Sequence, residues 1–169
     1  MKIDPSLAAA AGFVGVLAFY FGVLSLLNSP EHAIGQFRGD YWWVFAFALG
    51  MAGQLWIGAR ISAGMAAIGT SGGTSGTAML ACCAHHAVGF APLAGFAFIA
   101  PFFDKYQPLF IGIGLVSNIA GISVAMERAQ VLGAKVPFAQ SFAWEGVAKL
   151  VIAAGSGLLA GLALKIYAG

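Results

Sequence analysis

Charge is what this sequence has least of. Only 8% of its 169 residues are Asp, Glu, Lys or Arg, where a soluble domain carries about a quarter. So few charges cannot cover a water-facing surface, and lipid is the expected solvent for most of the chain. The net charge of +2 is spread along the sequence without a run of Lys or Arg, which excludes a nucleic-acid surface and a polybasic tail. Cysteine is almost as scarce. Cys82 and Cys83 are the only two, and they are adjacent, which excludes a framework of separated disulfides; a bridge between neighbours in a helix would be strained. The glycine-rich segment Thr70 to Thr77 lacks the Gly-Lys-Ser/Thr ending of a P-loop, so no nucleotide function is read from it.

What is present is a succession of apolar runs. A helix needs about 20 apolar residues to cross a hydrocarbon core, and residues 7–27 meet this without a charge. That run is too long for a signal-peptide core and reads as a retained span. Asn28-Ser29-Pro30 ends it, and a polar loop holding Glu31, His32, Arg38 and Asp40 follows. A second span is expected over 41–61, opening on the interfacial aromatics Tyr41, Trp42 and Trp43, with Gln54 past its middle. Arg60 lies near its end, where it can reach the headgroups. The third span, 77–98, follows the glycine-rich connector and contains Pro92. A turn from Pro101 to Pro108 leads to a fourth span over 109–126, with Asn118 near its middle. Glu127, Arg128 and Lys135 mark the next loop, and the last span covers 142–166 with the close-packing pair Gly157 and Gly161. The expected fold is all-α: one membrane domain over residues 1–169, a polytopic bundle of about five transmembrane helices. With five spans, Lys2, Arg60, Arg128 and Lys135 fall on the N-terminal side, with Lys149 close by, against Arg38, Lys105 and Lys165 on the other; the positive-inside rule then makes the N-terminus cytoplasmic.

The chemistry concentrates at Ala81-Cys82-Cys83-Ala84-His85-His86, which holds both cysteines and two of the three histidines. On a helix Met79, Cys82, Cys83 and His86 stack along one side, and Cys82 has His85 at i+3 and His86 at i+4. Thiolate, thioether and imidazole are soft ligands, suited to Cu(I) or Zn(II), and to Hg(II) by the same argument. One helix cannot close a tetrahedral site, so further ligands would come from Met51, from Met126 or from a second copy. An incomplete site suits exchange, since a closed four-ligand site is structural. Gln54 and Asn118, amides at membrane depth, are expected to support the bundle through hydrogen bonds between helices. His32 reads as a solvated loop residue.

The segment from Ala81 to Ile122 resembles a family of small polytopic prokaryotic membrane proteins that carry this Cys-Cys-Ala-His-His motif. The likeness rests on the hexapeptide, Pro92, Tyr106-Gln107 and the run Gly114-Leu115-Val116 with Asn118, Gly121 and Ile122; Gln54 and the glycine-rich lead-in also fit. It implies a prokaryotic plasma membrane and an association with heavy-metal handling. A looser likeness, to mercuric-ion transport proteins, carries over only Cys82 and Cys83; the adjacent histidines depart from it and put copper or zinc on an equal footing with mercury. The expected function is therefore binding of a soft metal for transport or transfer, with no catalytic residue assigned. Other classes stay open: a haem or redox subunit with His85 or His86 as axial ligand, an enzyme with Cys82 or Cys83 as nucleophile, and an accessory subunit or homo-oligomer within a larger membrane complex.

Overall fold

The computed structural model describes residues 4–27, 29–61 and 100–168; the side chains of Leu27, Ala100, Pro101, Phe103 and Asp104 are not considered. The described residues are helical throughout apart from short connections, with four helices long and apolar enough to cross a membrane. They are α1 (Pro5–Leu27), α2 (Pro30–Ile61), α3 (Ala100–Val131) and α4 (Trp144–Ala168). The expected third span, 77–98, lies outside the described residues.

Local signals set the helix ends, and they move three boundaries expected from the sequence. Both α1 and α2 start with proline in the first helical position, where its missing N–H is no loss. Asp4 caps α1, its Oδ1 accepting from the amides of Ser6 at 2.8 Å and Leu7 at 3.2 Å. Ser29 caps α2, its Oγ accepting from the His32 amide at 3.2 Å. Pro30 therefore opens a helix rather than only ending one, and Glu31 to Asp40 form the first turns of α2 instead of a loop. His32 is exposed on the first of those turns. Likewise Pro101 to Pro108 are helical, not a turn. Pro108 leaves the Asp104 carbonyl without its usual amide partner, which a helix beginning only two turns earlier tolerates.

At its other end α3 continues past Glu127 and Arg128, which the sequence assigns to a loop, and stops at a Schellman motif. Gly133, at φ +61°, supplies the left-handed residue. The Ala134 amide then donates to Ala129 O at 2.9 Å, and the Gly133 amide to Gln130 O at 3.1 Å. The stop signal was thus a glycine, not the charges.

Among the described helices, α1 packs on α2, α2 on α3 and α3 on α4, and no other pair meets. The direction of each contact follows from which residues face each other. Gly12 faces Met51 and Leu55, while Tyr20 and Phe21 meet Phe37, so α1 and α2 form an antiparallel hairpin. Gly50 faces Asn118, Gly53 faces Ile122, and Ile57 and Ile61 cluster with Ala125 and Ala129, so α2 and α3 run parallel. Gly112 faces Leu159 while Gly155 faces Val116, so α3 and α4 are antiparallel.

This register sorts the charges into two layers. At one end of the bundle, here the outer end, lie Arg38 and Asp40 on α2, Lys105 on α3 and Lys165 on α4; at the other, inner end lie Arg60, Glu127, Arg128, Lys135, Glu145 and Lys149. From Asp40 to Arg60 α2 rises about 30 Å at 1.5 Å per residue, matching the ~30 Å of a hydrocarbon core. Tyr41, Trp42 and Trp43, all exposed, stand at its outer edge as an interfacial belt.

Candidate functional site: a buried amide pair between parallel helices

In lipid, apolar packing between helices lacks the hydrophobic drive it has in water, and close approach with hydrogen bonding takes over. The α2–α3 contact shows both. Gln54 is fully buried and Asn118 is 2% exposed. The Gln54 Nε2 group donates to Asn118 Oδ1 at 3.0 Å and to the Asn118 backbone oxygen at 3.2 Å. Asn118 Nδ2 in turn donates to the Phe47 carbonyl at 3.5 Å. Gly50 makes this geometry attainable: a Cβ there would overlap the Asn118 side-chain amide. Ser123, also buried, donates to Ile119 O one turn back at 2.9 Å and adds no bond between helices.

Amides keep no titratable proton, so Gln54 and Asn118 supply no acid, base or nucleophile. They fix register: a slide of one helix along the other would leave buried polar groups unpaired in a medium that offers no substitute. The sequence expectation that both act as interhelical glue is met, with each the other's partner.

Two further polar clusters were not anticipated. Near the outer end, Asp40 Oδ2 accepts from Gln36 Nε2 at 2.8 Å and from the Tyr20 hydroxyl at 3.4 Å, tying α2 to α1. The i, i+4 spacing of Gln36 and Asp40 was a readable signal once that stretch is helical. At the inner end, Arg60 Nη1 donates to Lys135 O at 2.8 Å while its guanidinium lies 4.2 Å from the Trp56 ring centroid. Arg60 lies near the end of α2, as expected, and is held there by a backbone carbonyl and an aromatic face.

Cys82, Cys83, His85, His86 and Met79 lie outside the described residues. Of the extra ligands considered for them, Met51 sits in the α1–α2 contact beside Gly12, and Met126 packs in the inner apolar cluster with Ile57, Ala125 and Val136. Among the described residues no three of His, Cys, Asp and Glu are grouped so as to hold a metal ion. The Gly157–Gly161 pair also departs from its expected role among these helices, because α4 approaches α3 through Gly155 while Gly157 and Gly161 are exposed. No protein-family model matches the chain, and neither a curated protein nor a solved structure does.

Proposed function

We propose that this chain is an integral membrane protein of five spans that binds a soft transition-metal ion through Cys82, Cys83, His85 and His86, with Met79 alongside, for transport or transfer. The observation that carries the reading is the parallel run of α2 and α3 with the cysteine–histidine cluster in the sequence between them. α2 ends at one face of the bundle and α3 begins at the other, which supports a crossing in the sequence between them. In that sequence 77–98 is apolar and of spanning length, which supports reading it as a fifth crossing that carries the cluster. Ionisable and metal-ligating side chains at membrane depth are costly unless they are used, and a thiol pair beside an imidazole pair favours Cu(I) or Zn(II). Gln54 and Asn118 then serve as the frame that holds α2 and α3 while ligands exchange. The heavier count of Lys and Arg at the inner face supports a cytoplasmic N-terminus, and the resemblance of the cluster segment supports a prokaryotic plasma membrane.

Protein purified without added metal and analysed for its elements should carry about one soft ion per protomer or per dimer. The Cys82→Ser/Cys83→Ser variant should lose it. Equal metal in the two preparations overturns the proposal.

A further inference from the structure

The connection between α3 and α4 carries a backbone conformation that needs a reason. Phe138 has φ +64°, in the left-handed region that a bulky aromatic residue occupies only at a cost. Its conformation is held from two sides, since the Phe138 carbonyl accepts from Trp144 Nε1 at 3.0 Å and from the Ser141 amide at 3.1 Å. That arrangement does not bury the ring. Phe138 is 70% exposed, with Phe142 at 57% and Leu132 at 55%. The underside of the same loop is well packed, Val136 and Ala139 being buried against Ile57, Ile61 and Ala129. A firmly seated loop is therefore displaying aromatic rings outward.

Its position says towards what. The loop follows Val131, one turn past Arg128, and so lies in the inner headgroup zone, which is about 6 Å deep on each side of the hydrocarbon. Cations collect at the same level. The Arg60 bond to the Lys135 carbonyl draws the guanidinium to the residue whose own ammonium group is exposed, and neither Arg60 nor Lys135 is paired with an acid among the described residues; the ion pair described there is Glu145 with Lys149. Basic groups beside exposed aromatic rings at the depth of lipid phosphates match an anionic headgroup with its acyl chains below.

We infer that Arg60, Lys135 and the Phe138–Phe142 loop form a binding site for an anionic phospholipid of the inner leaflet, the cations taking the phosphate and the rings entering the acyl boundary. The site is independent of the cysteine–histidine cluster, so its fate and that of the metal proposal are decided separately.

Native mass spectrometry of the delipidated full-length protein, titrated with phosphatidylglycerol and with phosphatidylcholine, tests this. Phosphatidylglycerol should bind the tighter of the two, and Lys135→Gln and Arg60→Gln should each weaken it about fivefold. Arg38→Gln and Lys165→Gln, at the opposite face, should leave it unchanged. Phe138→Gly separates this role from a structural one. Glycine relieves the left-handed backbone and should hold or raise the thermal midpoint in detergent, yet it should weaken phosphatidylglycerol. Equal affinity for the two lipids, an outer-face variant as impaired as Lys135→Gln, unchanged binding in Phe138→Gly, or displacement of the lipid by millimolar inorganic phosphate each overturns the proposal.

Discussion

The α1–α2 and α2–α3 contacts share one helix and are built on opposite terms. Only two residues of sequence separate α1 from α2, so chain connectivity already brings them together. Their contact is filled with large rings and aliphatic groups: Tyr20, Leu24, Ala33 and Val44 at its centre, with Phe21 and Phe37 packed around them. Its polar element, the Tyr20–Asp40 bond, is long at 3.4 Å and only partly buried. α2 and α3 are separated by 38 residues of sequence. Their contact uses glycine and alanine for close approach and buried amides for register. Where the chain supplies proximity, shape is enough. Where it does not, directional bonds in a dry medium specify the pairing.

That contrast can be broken most sharply at Gly50. Gly50→Val puts a branched side chain where the Asn118 amide sits, and should destabilise the protein by about 3 kcal/mol, read as unfolding in bicelles, while the α1–α2 hairpin stays protected from hydrogen exchange. Equal loss of protection in both contacts would show that they are not separate units.

The amide pair is the next largest lever. Gln54→Leu and Asn118→Leu should each cost about 1–2 kcal/mol by leaving a buried partner unsatisfied. The double variant should cost less than the sum, with a coupling of roughly 1 kcal/mol in the range measured between membrane helices. Strict additivity in this cycle would mean that the two residues act independently.

The smallest expected effect lies at the α1–α2 contact. Tyr20→Phe removes one long, partly buried hydrogen bond and keeps the ring, so it should cost no more than about 0.5 kcal/mol by the same unfolding measurement. A loss as large as that of Asn118→Leu would place a directional bond at the centre of the hairpin as well.

Much of this architecture is legible in the sequence, and the parts that are not have physical causes. Span lengths follow from apolar runs, and Gln54 and Asn118 stand out because amides are expensive in lipid. The helical state of Glu31 to Asp40 was hidden because polarity is a poor sign of irregular structure once a Ser-Pro start precedes it. The true end of α3 lay with Gly133, whose left-handed φ depends on position, not on the surrounding charges. The parallel run of α2 and α3 is illegible for a different reason: hydropathy gives the length of a span and carries no arrow. For the cysteine–histidine cluster, sequence spacing remains the support.

The anchoring of Tyr20 to Asp40 also sets α1 against the thickness of the bilayer. With Asp40 at the outer boundary, the apolar turns from Phe21 to Leu27 extend about 10 Å beyond the level where α2 becomes charged, and Leu26 there is 88% exposed. The apolar run of α1, residues 7–27, itself rises about 30 Å, so α1 is displaced outward relative to α2 and not lengthened. Hydrophobic mismatch of this kind is met by local thickening of the membrane or by tilt, at fractions of a kcal/mol per ångström. The mismatch therefore falls on one face of the membrane, where lipids beside Phe21 to Leu27 are raised relative to those beside Arg38 and Asp40.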